Sequence, residues 1–407
     1  MKGKNLQLIS ALLAVTLLFS SCVAWTEELQ GQDRRNSSQA LQQEALPESS
    51  LGEVQEEHSL PEVPPIPGVT RKKDIESQLG STMIMGVRYL DERYAYVLAF
   101  DWNDTQGQNP RGIVARYDTS AQELTTVCEE YFPNNTVGNM TVGKLETGEV
   151  VVFTGQALVV LGADGTTLEE FVLLDEVYLR EPAYSIKTQQ LAFIHPETFE
   201  VYIMDIATQE WTRCFEPNLE PNEDEDFSMP YSPVFSPDGS KLAFVQADGR
   251  SAMSFDTIIC CDLQGNVIFE TEKVEHLSTW LQLSWWDEQL VTMQTNDSKG
   301  VYCSVAMYDG QGKKTIDYRV EGRIECSPVS QMPYRAFAYP EWEPASLYHL
   351  GILDLEKQES WSVYTTEAVI HAQDISPSGG KALIIEGDDL VEIELSQMEP
   401  IPIPKLE

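Results

Sequence analysis

From about residue 81 to the C-terminus, short apolar runs alternate with compact polar breaks. The runs draw on Val, Ile, Leu, Phe and Tyr, and the breaks on Gly, Pro, Asp and Ser. Runs of about four to eight residues bounded by turn residues predict β-strands rather than helices. The stretch "SPVFSPDGSKLAFV", Ser232 to Val245, reads as a strand, a tight Pro237-Asp238-Gly239 turn and a second strand.

That hairpin recurs. "PVFSPDGSKLAF" from Pro233 aligns without a gap on "PAYSIKTQQLAF" from Pro182, matching Pro, an aromatic, Ser and the closing Leu-Ala-Phe. "DISPSGGKALII" repeats Ser376, Pro377, Gly379 and Lys381, and weaker copies begin at Lys144 and Leu283. A second marker follows each copy, an apolar run ending in Asp and a turn. It falls at Asp118, Asp205, Asp262, Asp309 and Asp354, with Gly162 and Glu394 at the equivalent places. The marker spacing is about 40 to 57 residues, and four short strands per unit at that period is the signature of propeller blades. Asp suits the marker place because its carboxylate satisfies turn amides.

The expected fold is therefore all-β, a single β-propeller of about seven four-stranded blades, with six or eight as the alternatives. A sandwich does not repeat a hairpin at this period, and β-helix coils are much shorter. In the fourth unit "MPYSPVFS" is the inner strand and "KLAFVQ" the second. "FDTIICCDL" is the third and "NVIFETE" the outer one. Approximate blades run 81–131, 132–175, 176–219, 220–276, 277–322, 323–369 and 370–407. The prolines of "MEPIPIPKLE" suit an edge position, and a strand around Ser77 to Met85 is expected to close the ring. "FSPDG-x-K-L-A-F" resembles the repeat of TolB-type, WD-like propellers of bacterial envelope proteins. The resemblance covers about Ser81 to Glu407 and implies architecture and compartment. The globular domain that precedes the propeller in TolB has no counterpart here.

The N-terminus changes the picture of where the propeller sits. "MKGKNLQLISALLAVTLLFSSC" has a positive start at Lys2 and Lys4 and an apolar stretch too short for the roughly 20 residues of a membrane span. Residues 1–21 read as a signal peptide. Ser20 and Ser21 ahead of Cys22 resemble the lipobox of bacterial lipoproteins, although Phe19 stands where Leu is usual. The resemblance implies a lipid on Cys22 and extracytoplasmic anchoring in a cell envelope. Residues 22–69 are rich in Glu, Gln, Ser and Pro and read as a disordered tether. The propeller then occupies 70–407.

The net charge of −38 argues against nucleic acid, whose phosphates attract Lys and Arg. Cys128, Cys214, Cys260, Cys261, Cys303 and Cys326 have no disulfide-framework or zinc-site spacing and read as buried thiols. Adjacent residues in a strand point to opposite faces, which separates Cys260 from Cys261.

Catalytic motifs are missing from the sequence: there is no G-x-S-x-G elbow, no H-E-x-x-H and no phosphate loop. Asn222, Asp224 and Asp226 alternate like the start of a calcium loop, but Phe227 and Pro233 replace its glycine and terminal glutamate. A solvated acidic loop is the simpler reading, and no cofactor is expected. Blade topology places the long connections on the face opposite the short turns, and binding residues concentrate on long loops. The expected function is a monomeric, membrane-anchored binding module for an envelope protein, peptide or glycan. Its binding residues would be Trp102, Asp104, Asp224, Asp226 and Trp342, because an exposed indole is costly unless it packs or binds. The alternative is a carboxylate-based lyase or hydrolase at the central channel. "SWWDE", with Trp285 and Trp286, falls at a short turn and reads as packing.

Overall fold

A computed structural model describes residues 66–403, apart from 107–108, 132–140, 146, 154–156, 163, 173–179, 218–227, 249–253, 277–280, 297–301, 322, 325–332 and 342–346. The signal peptide, Cys22, most of the tether, Asn222, Asp224, Asp226, Cys326 and Trp342 lie outside the described residues.

Seven antiparallel sheets form the blades of a β-propeller. Blade one comprises Met83–Tyr89, Tyr94–Gln106, Asn109–Asp118 and Glu123–Tyr131. Blade two, with the shortest hairpins, comprises Thr141–Lys144, Val150–Phe153, Ala157–Leu161 and Thr167–Val172. Blades three, four and five start at Arg180–Ser185, Ser228–Phe235 and Gln282–Trp286. Blade six starts at Arg323–Ile324 and blade seven at Ile370–Ile375. The first strands of blades seven and one, two and three, three and four, and four and five approach one another around the axis.

The core is not one mass but seven clusters, one in each gap between adjacent blades. Val234, Ala243 and Cys260 of blade four, for example, pack with Leu283, Trp285 and Leu290 of blade five. Ile84, Val97 and Ala115 of blade one pack with Leu383, Ile385 and Leu390 of blade seven. Both faces of each sheet are therefore buried, which explains why the apolar alternation along the strands is only partial. Cys260 faces the gap between blades four and five and Cys261 the gap between three and four, as strand alternation requires.

The repeated hairpin has one geometry. Ser236 N–H donates to Lys241 O at 2.9 Å, Gly239 N–H to Ser236 O at 2.8 Å, and Lys241 N–H to Ser236 Oγ at 3.0 Å. Blade seven repeats all three bonds with Ser376, Gly379 and Lys381. Gly239 has φ +71°, and a Cβ there would sit 2.5 Å from Thr188 Cγ2 on the turn of blade three. The motif thus serves both the turn and the contact with the neighbouring turn. The marker aspartates accept turn amides as expected: Asp118 from Ser120 and Ala121, Asp205 from Thr208, Asp262 from Gln264 and Asn266, Asp309 from Gln311 and Lys313, and Asp354 from Glu356 and Lys357.

Ring closure differs from expectation. The strand that completes blade seven is Val69–Lys72, antiparallel to Asp389–Glu394, and not Ser77 to Met85. Ser77 instead lies in a short helix, Ile75–Leu79, capped by the Asp74 carboxylate on the Ser77 amide. Met83 to Met85 already belong to the inner strand of blade one. The reason is partner chemistry: Arg71 bridges to Glu386 at 2.8 Å and Asp389 at 2.9 Å. The proline-bearing Ile401–Ile403, expected at the edge of the last blade within 370–407, pairs instead on the outer edge of blade six, Pro402 opposite Trp361.

Candidate functional site

The second and third strands of blade one are in register at Asp101 and Arg111, then lose register until Thr105 meets Pro110. Trp102, Asn103 and Asp104 are extruded as a bulge on the face opposite the short turns. Trp102 is 37% exposed, its N–H held by Thr82 Oγ1 at 2.9 Å and its ring 6.5 Å from Phe100. Arg111 organises the base of the bulge. It donates to Gly80 O at 2.9 Å and meets Asp101 at 3.4 Å, Asp104 at 3.2 Å and Glu129 at 3.5 Å. Three carboxylates surround one guanidinium, leaving an acidic rim beside an exposed indole. Indole faces and surplus carboxylates both attract cations.

Trp102 and Asp104, two of the residues read from the sequence, are thus brought together on one bulge. Asp101, Arg111 and Glu129 were missed. Only the strand register, which was not legible beforehand, could have pointed to them. Trp285 is buried, with its Nε1–H directed at Val234 O at 3.4 Å, and Trp286 packs in the gap between blades five and six. "SWWDE" is packing, as its sequence suggested.

Around the axis, the inner strands carry a second polar group. Arg88 of blade one donates to Thr141 Oγ1 of blade two at 3.3 Å. Asp374 of blade seven is buried and accepts the Tyr89 amide at 2.8 Å and the Ile375 amide at 2.9 Å. Burial pushes its carboxyl up to about 6, against the pull of those amides and of Arg88 and Arg335. Arg335 of blade six is itself buried and donates to Ser284 Oγ and Trp285 O of blade five, both at 3.0 Å. These bonds join neighbouring blades. Asp374 holds the Tyr89 and Ile375 amides, a structural task.

Cys214, Cys260, Cys261 and Cys303 are buried, and Cys128 is partly buried. Among the described residues no group of three or more His, Cys, Asp or Glu side chains is placed to hold a metal ion, and no helix is long and apolar enough to cross a membrane.

The sequence matches no protein-family model and no curated protein. Solved structures match the fold. The β-propeller domain of Cps50 (Swd1) from Myceliophteria thermophila aligns with a TM-score of 0.51 at 12% identity, covering 77% of this chain and 96% of that one. Hydrazine synthase from Kuenenia stuttgartiensis aligns with a TM-score of 0.52 at 11% identity, covering 77% and 97%. At such identities the likeness is one of fold alone.

Proposed function

We propose that this protein is a non-enzymatic binding propeller, anchored on the extracytoplasmic side of a bacterial envelope through a lipid on Cys22. It docks an envelope protein, peptide or glycan on its long-loop face. The observation that carries this reading is the Trp102–Asp104 bulge: an exposed indole with an acidic rim, held on a rigid blade by Arg111. Such an arrangement favours a partner segment bearing Lys or Arg, and the net charge of −38 would steer it inward. The charged start, apolar stretch and Ser20-Ser21-Cys22 support the anchor, and the shared Ser236 and Ser376 turn geometry supports a TolB-type repeat.

The test is crosslinking from intact cells through a photoreactive residue at Asn103. A specific crosslinked partner, lost in the Trp102→Ala/Asp104→Ala variant, is the expected result. Unchanged capture by that variant would remove the bulge from the site. Mass spectrometry of the mature N-terminus tests the anchor separately: the expected species begins at an acylated Cys22, and an unmodified Cys22 ends the lipoprotein reading.

A further inference from the structure

A pocket of about 170 Å³ opens between blades one and two at the short-turn end of the disc, opposite the Trp102 bulge. Leu90, Tyr94, Tyr96 and Val150 give it an apolar, aromatic lining, and Arg116, Lys144 and Asp91 supply its polar wall. The guanidinium carbons of Arg93 and Arg116 lie 4.9 and 5.0 Å from the centre of the Tyr94 ring. Gly148 stands at the mouth with φ +103°, where a Cβ would meet nothing within 4 Å.

Asp91 is committed to the protein. Its Oδ1 accepts the Arg93 and Tyr94 amides at 2.9 and 2.8 Å, and its Oδ2 accepts Lys144 Nζ at 2.6 Å. Arg93 is held by Asp118 at 2.7 Å, and Arg116 faces Asp164. An ammonium has three donors and a guanidinium five, with no acceptor on either. One Lys144 donor goes to Asp91. Lys144 and Arg116 therefore offer a ligand N–H donors that carry positive charge. The lining itself carries two basic groups, Lys144 and Arg116, against one carboxylate, Asp91. The volume suits one residue-sized group and falls well short of the roughly 300–1,000 Å³ of sites that enclose larger ligands.

We propose that this inter-blade pocket binds a carboxylate carried on an apolar or aromatic group of residue size. Lys144 and Arg116 hold the carboxylate, and Tyr94 and Tyr96 cover the attached group. A free small acid, a peptide C-terminus and an acidic side chain share this chemistry.

Calorimetric titration of the full-length protein tests it with two matched pairs. N-acetylphenylalanine is compared with its amide. An amidated acetyl-Phe-Glu peptide is compared with acetyl-Phe-Gln. The acid of at least one pair should bind at least about tenfold more tightly than its neutral partner, the size of effect expected from a charge-assisted hydrogen bond. The pair that shows it identifies the source, chain end or side chain. Lys144→Met and Arg116→Gln should each remove most of that preference while leaving the unfolding midpoint close to wild type. The acid and amide comparison on the unaltered protein stands even if one variant folds poorly. Equal binding of acid and neutral ligand, or binding of neither, overturns the proposal.

Discussion

Arg71 and Glu386 are separated by 315 residues and meet at 2.8 Å, where the first strand of the fold joins the last blade. The Glu386 side chain is 5% exposed, and it also accepts the hydroxyls of Tyr364 and Thr366. Arg71→Met should therefore leave a buried carboxylate short of its cationic partner and cost about 1.5–3 kcal/mol, the range for hydrogen bonds to charged groups. Chemical denaturation measures this. A loss below about 0.5 kcal/mol would mean that main-chain pairing and apolar packing alone hold the seam.

Asp374 sets a pH dependence. Burial raises its folded pKa to about 6, above the ordinary aspartate value of about 3.9. Between those values the folded state holds the proton more tightly, so stability from this group falls as pH rises and levels off above about 6. The difference in stability between wild type and Asp374→Asn should shift by about 2 kcal/mol between pH 4 and 7, in favour of the Asn variant at the higher pH. A pH-independent difference would show that the Tyr89 amide and Arg88 cancel the cost of burial.

The marker aspartates share a bonding pattern but not an environment. Asp354 is 1% exposed and holds the Glu356 and Lys357 amides as well as Lys357 Nζ at 3.1 Å. Asp354→Ala should cost about 1–3 kcal/mol, because two part-buried turn amides lose their acceptor. Asp262→Ala, in an open turn, should cost less. Equal losses in urea denaturation would mean that turn bonding, not burial, sets the cost.

Thiol reactivity should follow packing. Hydrogen bonding to Cys261, then burial, raises the Cys214 thiol, and burial pushes Cys260 up to about 12. The thiolate is the reactive form. Maleimide labelling of the native protein near neutral pH, read by peptide mass spectrometry, should spare Cys214, Cys260, Cys261 and Cys303. All four should react once the protein is denatured. Rapid native labelling, or a linked Cys214–Cys261 peptide, would contradict the packing described.

The blades and their turns were legible in the sequence because their chemistry is local. Ser236 and Lys241 bond across five residues, and Asp262 bonds amides two and four positions ahead, so each repeat carries its own instructions. The seven-bladed count followed from spacing the markers. Cys260 and Cys261 could be assigned to opposite faces, since strand alternation is equally local. Trp102 and Asp104 were readable as loop candidates, but their shared bulge was not.

Tertiary structure decided whatever joins one blade to another. Val69–Lys72 is a closing strand only because Glu386 and Asp389 wait some 315 residues away. Gly143 is required because the Tyr184 ring of the next blade lies where its Cβ would go. Arg116 and Lys144 share a pocket only because blades one and two stand side by side around the axis. A hairpin's hydrogen bonds are fixed by residues a few positions apart, whereas the side chains that meet in the gaps depend on how the whole ring closes.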